Sequence, residues 1–253
     1  MNDNHFKFST SVILVPFLAV LLLWLLFWIE VRFQFNFGLF GIYPRTLSGI
    51  KGVLFSPFIH GNLEHLYNNS IPLFILIAAL FYFYQQHAVK ILGLGILFSG
   101  MLTWIIARNA YHIGASGLIY VLISFIFFKG IFTKYYRLVA LSLLVVLVYG
   151  SMVWYVFPNP LIEKNISWEG HLAGLLTGFV FAIRFEVPAY KKLAKYDWER
   201  PDYDALSDKF MQRFDESGNF VNLPPEEGLE VEAIPVPYFV SNIPVVYEIV
   251  KDK

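Results

Sequence analysis

Residues 114–128 read GASGLIYVLISFIFF, and the fold turns on how that stretch is read. From Ser116 onward it is an apolar run interrupted only by Ser124, opened by a hydroxyl between Ala115 and Gly117 rather than by a charge. A helix needs about 20 residues to cross the hydrocarbon of a bilayer, fewer where it borders a thinned or water-filled region. Residues 116–128 are short by that measure, so the first turn is expected below the membrane surface, at the floor of a cavity. Polar side chains in such places are costly unless partnered or functional, which makes Ser116 the first candidate for chemistry.

Working outward, residues 11–30, 63–84, 89–107, 138–157 and 171–185 read as further spans, six in all with 116–128. The whole composition agrees: 57% of residues are hydrophobic, 19% aromatic and 15% charged, at a mean hydropathy of +0.57, well outside the range of soluble domains. The leading run 12–29 is broken only by Pro16, too long for a signal core and followed by no small-x-small cleavage site, so it reads as a retained span. With the amino terminus inside, nine short-loop Lys or Arg fall on the cytoplasmic side (Lys7, Lys90, Lys129, Lys134, Arg137, Arg184, Lys191, Lys192, Lys195) against five outside (Arg32, Arg45, Lys51, Arg108, Lys164). That asymmetry places both termini in the cytoplasm. The first ten residues lack the Arg-rich character of a transit peptide, so a prokaryotic plasma membrane is the expected location.

The domain organisation expected is residues 1–10 as a cytosolic amino terminus, 11–187 as an all-α membrane domain and 188–253 as a cytosolic acidic tail. The tail holds 13 Asp or Glu against 8 Lys or Arg between residues 190 and 253. Its part beyond Pro201 is expected to be helical, and its Pro-rich end extended or disordered. Between the first two spans, residues 31–59 combine many Phe with Gly38, Gly41, Pro44, Gly49 and Gly52, which predicts an interfacial hairpin in the outer leaflet. A net charge of zero gives no electrostatic basis for nucleic-acid binding, and the absence of cysteine excludes disulfides, thiol nucleophiles and thiolate metal sites.

Candidate chemistry gathers at three outer span ends. The second span opens FIHGNLEHLYNN (58–69), which stacks His65 and Asn69 on one helical face with His60 just before them. The sixth opens GHLAGLLTG (170–178), placing His171 on a helix whose Gly170, Gly174 and Gly178 form a small-xxx-small face. Gly114 and Gly117 are expected to serve the fourth span in the same way. Contact between these glycine faces would bring Ser116 and His171 to one depth, as a nucleophile and its base require. Tyr120, one turn below Ser116, is placed to pack on the imidazole. Asn69, His65 and the Ser116 N–H are candidate oxyanion donors. No Asp or Glu stands in the apolar part of the second, fourth or sixth span, so a dyad is expected, without a carboxylate third member.

The pattern His60-x4-His65-x3-Asn69, Gly114-x-Ser116-Gly117, Gly170-His171-x-Ala173-Gly174 resembles the rhomboid family of intramembrane serine proteases, over about residues 44–185. The resemblance implies a six-span bundle with Ser116 and His171 as the catalytic dyad. It assigns His65 and Asn69 to the oxyanion site, Tyr120 to the support of His171, and His60 to bracing the loops. It also implies single-span membrane proteins as substrates, cut in or near the bilayer, with neither cofactor nor metal. Many members carry Trp-Arg in the first outer loop, where Pro44-Arg45 stands here.

Other readings compete. A serine among small residues is, taken alone, more often a helix-packing residue than a nucleophile. Zinc binding by His60, His65 and His171 is disfavoured, because His60 and His65 are five apart and no acidic ligand accompanies them; Glu64 is expected on another face. His112 is an alternative base, expected in solvent on its loop, and His5 and His87 read as ordinary exposed residues. A non-catalytic relative that binds transmembrane helices would usually lack the serine or the histidine, and both are present. A small transporter would want polar residues deeper in the spans.

Overall fold

The structure is a computed structural model that describes residues 6–158, 166–187, 196–200 and 202–221. The chain divides into two compact units, Met1–Lys192 and Leu193–Lys253. Among the described residues of the first unit, seven α-helices and three 3-10 turns are joined by one isolated bridge.

Among the described residues, five stretches are long and apolar enough to cross a membrane: α1 (Ser11–Phe33), α3 (Leu63–Phe83), α4 (Ala88–Ile106), α5 (Ser116–Thr133), and α6 (Tyr136–Tyr149) taken together with the 3-10 segment Gly150–Val156 that continues it. The last helix, α7 (Trp168–Arg184), has 17 residues and begins three residues earlier than the sequence reading placed it, because Ser167 caps it by accepting from the Gly170 N–H. The apolar window of α5 is 56% buried against 17% for α1. The first is therefore the axis of the bundle. The second turns Ile13, Leu14, Phe17, Leu21 and Leu25 outward, the arrangement that a lipid solvent permits and water does not. Trp24 fastens α1 to α3 by donating to the Ser70 hydroxyl at 3.0 Å.

The α5–α7 seam is where glycine matters most. A Cβ on Gly174 would lie 2.2 Å from the Gly117 carbonyl oxygen, and one on Gly178 would lie 2.3 Å from that of Val121. Gly117 itself has room, with nothing nearer than 3.5 Å, so only the α7 side of the seam requires glycine. Helix α5 also runs on to Thr133, five residues beyond the expected end, because Lys129 is accommodated: its ammonium donates to the Ala182 carbonyl at 3.1 Å, near the C-terminus of α7.

Residues 31–59, expected as an interfacial hairpin, are built from short helical turns. They form a 3-10 turn (Phe37–Phe40), the short α2 (Gly52–Phe55) and a second 3-10 turn (Ser56–Phe58). The Phe residues form a chain of ring contacts through Phe33, Phe35, Phe37, Phe40 and Phe55. Ile42 exchanges two backbone hydrogen bonds with His112, at 2.9 and 2.8 Å, tying this outer segment to the one that enters α5. His87, expected to be exposed, is half-buried, with Nε2 2.5 Å from the Glu186 carbonyl oxygen.

In the second unit the helix expected beyond Pro201 is not formed. Asp204, Asp208 and Asp215 accept from the N–H groups of Leu206, Phe210 and Asn219, and such local bonds compete with a helical ladder. What remains are the 3-10 turns Asp197–Glu199 and Met211–Arg213 and a turn closed by the bridge between Phe214 and Phe220. The extended or disordered end read for residues 222–253 lies outside the described residues, as do His5, Lys164, Lys191, Lys192 and Lys195.

Candidate active site

Ser116 is the first residue of α5, and His171 lies one turn inside α7. The glycine-tight seam brings Ser116 Oγ to 3.0 Å from His171 Nε2. His171 Nδ1 is 2.9 Å from the Tyr155 carbonyl oxygen. A carbonyl can only accept, so in the neutral ring Nδ1 carries the proton and Nε2 presents a lone pair to the serine hydroxyl. A backbone group thus fixes the tautomer, the task an aspartate performs in a triad.

Tyr120 stacks on the imidazole with ring centroids 4.3 Å apart and planes 15° from parallel. Its hydroxyl donates to the Met152 carbonyl at 2.5 Å. Both carbonyls belong to the 3-10 segment Gly150–Val156, whose geometry leaves them outside the α-helical ladder and available to side chains. Sequence reasoning missed Met152 and Tyr155 because a carbonyl oxygen leaves no trace in residue type.

A cavity of about 600 Å³ opens over the pair. The first turns of α3 form one wall, through Asn62, Glu64, His65, Asn68 and Asn69; Met152, Tyr155, Ile166 and Ser167 face them. Asn62 starts α3 by accepting from the His65 N–H at 2.7 Å. Asn69 is buried, lines the cavity and donates one amide hydrogen to the His65 carbonyl at 2.7 Å; its amide carries a second hydrogen. On the opposite side the N–H groups of Ser116, Gly117 and Leu118 open α5, where no intrahelical acceptor exists for them.

The three motifs meet physically. Gly114 has φ +106°, and a Cβ there would lie 2.6 Å from His65 Nε2, so its glycine serves a left-handed turn under the His65 ring rather than the α5–α7 seam. His60 is buried against His65, edge to face at 5.0 Å, with neither ring nitrogen hydrogen-bonded among the described residues. Burial, reinforced by the neighbouring His65, pushes the His60 pKa down from 6.5 to about 4.

His112 is not in solvent. It is buried, with Nδ1 2.6 Å from Ser167 Oγ and Nε2 3.0 Å from the Arg108 carbonyl oxygen, and that burial lowers its pKa. Beside it, Arg108 donates to both oxygens of the buried Glu169 at 3.0 and 2.9 Å and to the Ile166 carbonyl at 2.8 Å. Glu169 escaped the sequence reading because it precedes the apolar part of its helix. Arg45 braces the outer loop without a Trp before it: its guanidinium reaches the carbonyls of Ile105 and Ala107 and the Asn109 side chain, while Trp104 donates to Thr46 from α4. Among the described residues no group of three His, Asp or Glu stands close enough to hold a metal ion.

Comparison with known proteins gives a consistent result. The profile of the Rhomboid domain matches residues 48–186. An uncharacterised protein of Mycobacterium tuberculosis is 34% identical over 166 residues, covering 61% of this chain and 67% of its own. One of Mycobacterium leprae is 29% identical over 160 residues, covering 61% and 63%. A protein of Acanthamoeba polyphaga mimivirus whose name carries the word rhomboid is 28% identical over 179 residues, covering 69% of this chain and 92% of its own.

Proposed function

Because the chain belongs to the Rhomboid domain family, we propose that it is an intramembrane serine endopeptidase in which Ser116 is the nucleophile and His171 the general base. The observation that carries this reading is the imidazole held from both ends, Nδ1 on the Tyr155 carbonyl and Nε2 on the Ser116 hydroxyl. Ser116 Oγ attacks the scissile carbonyl as Nε2 takes its proton. The resulting oxyanion is met by the free N–H groups at the start of α5 and the Asn69 amide, with His65 behind them; one such donor is worth about 2.7 to 4 kcal/mol in the transition state. The helix N-terminus adds its positive potential. Collapse breaks the C–N bond, and Nε2–H protonates the leaving amine. Water then attacks the Ser116 ester, gives its proton to Nε2, and the serine oxygen recovers that proton as the acyl group leaves.

In this reading α7 is the sixth span, both termini are cytoplasmic, the membrane is a prokaryotic plasma membrane, and the site opens at the outer face. Residues 11–187 are the membrane domain, and substrates are single-span membrane proteins, since the cavity lies at helix ends within a lipid-facing bundle. The test is cleavage of a single-span reporter by purified protein in detergent. Wild type cleaves, Ser116→Ala and His171→Ala do not, and both variants keep the wild-type circular dichroism spectrum. Cleavage undiminished in either variant removes the proposed roles. Helix binding without cleavage by wild type would assign the chain to non-catalytic relatives instead.

A further inference from the structure

Fourteen side chains line the cavity over Ser116, and one of them, Glu64, is formally charged at neutral pH. It is exposed on the first turn of α3, immediately before His65. Among the described residues no Lys or Arg pairs with it. The rest of the wall is neutral: Asn62, Asn68 and Asn69 beside it, Ile113, Ile119 and Ile166 farther round. A carboxylate at a helix start is favourable for the helix dipole alone, but this one faces the space a polypeptide must enter to reach Ser116. A chain segment occupying that space displaces water and weakens the dielectric screening of the carboxylate.

Resting on the protease reading, we propose that Glu64 is a specificity-determining residue that selects substrates bearing Lys or Arg close to the cleaved bond. The long, flexible stem of either residue lets its cation reach the cavity wall while the backbone lies at Ser116. A basic side chain gains a charge pair that a neutral one lacks, and an acidic one meets like-charge repulsion. Discrimination is the difference between these, expressed in kcat/KM.

The experiment uses the full chain in detergent and a reporter helix with a single Lys, Gln or Glu moved through the four positions on either side of the cut. At the best position wild type is expected to favour Lys over Gln by roughly five- to tenfold in kcat/KM and to disfavour Glu. Glu64→Gln brings the Lys-to-Gln ratio to about one, Glu64→Asp restores it in part, and Glu64→Lys inverts the order. A second readout is independent of chemistry: affinity of the same three reporters for the Ser116→Ala variant, with and without Glu64→Gln. A charge preference there that vanishes with Glu64 supports the inference even if wild type cleaves nothing, an outcome that would overturn the protease reading alone. Equal handling of the three reporters by wild type, or a preference that survives Glu64→Gln, overturns it. So does a uniform loss for all reporters with the ratio intact, which is the signature of a helix-dipole role.

Discussion

Among the described residues, two Ser–His pairs are built to nearly the same plan. His171 Nε2 lies 3.0 Å from Ser116, and His112 Nδ1 lies 2.6 Å from Ser167; in both the partners are 55 residues apart in the chain, and in both the second ring nitrogen rests against a backbone carbonyl oxygen. What separates them is the serine. Ser167 caps α7, and its oxygen is already engaged by the Gly170 N–H. Ser116 caps nothing and stands beside N–H groups with no acceptor, on a cavity that both serines line. Proximity of an imidazole does not make a nucleophile. On the proposed reading, what qualifies Ser116 is an oxygen without other commitments, next to unfilled donors.

The sharpest way to break this contrast is to remove each pair in turn. Ser116→Ala or His171→Ala should reduce reporter cleavage by about a thousandfold or more, and a fluorophosphonate should modify Ser116 but not Ser167, read by peptide mass spectrometry. Labelling at Ser167 would erase the distinction. Next in size is the seam that aligns the first pair. Gly174→Val drives a branched side chain into the Gly117 carbonyl and the Tyr120 side chain, so it should abolish cleavage and lower stability by roughly 1 to 3 kcal/mol or more, measured by thermal unfolding in detergent.

The buried loop histidines set a pH dependence. His60 and His112 stay neutral in the fold, with pKa values below 6.5, whereas in the unfolded chain they titrate near that value. Below about pH 6.5 the unfolded chain therefore takes up protons that the folded one refuses. Their stabilisation is complete above that pH and is lost progressively as pH falls toward about 4, where burial has pushed His60. Thermal midpoints should fall across that window, and His112→Gln should flatten the slope. A midpoint independent of pH there would contradict the burial of both rings. Smallest is Ser167→Ala, expected to cost about 1 kcal/mol as a lost helix cap with only a few-fold effect on cleavage, far less than Ser116→Ala.

The sequence made much of this legible, and the reasons are specific. Ser116, His171, His65 and Asn69 stand out because polar groups at apolar span ends are rare, and the fold gathers all four around one cavity. Gly174 and Gly178 were visible through their spacing. Gly114 and Gly117 have the same residue type and different surroundings: Gly117 lies in the α5–α7 seam as its spacing suggests, whereas Gly114 sits under the His65 ring, a contact that spacing does not reveal. His112 read as a solvent residue because loops usually are, yet pairing with Ile42 carries its loop inward. Arg108 and Glu169 are 61 residues apart on different elements, and no helical or strand period links them. The bounds of α5 and α7 moved because Lys129 and Ser167 act through contacts that a hydropathy reading does not weigh.

The groups that aim the imidazole and the Tyr120 ring are main-chain oxygens, supplied by the Gly150–Val156 turn whatever side chains it carries. Replacement at positions 152 or 155 would reshape the cavity wall and still leave the aiming oxygens in place. If the proposed protease reading holds, sequence drift there would retune which polypeptides fit without disarming the base. Only a change in the path of the backbone, such as a proline that redirects the turn, would do that.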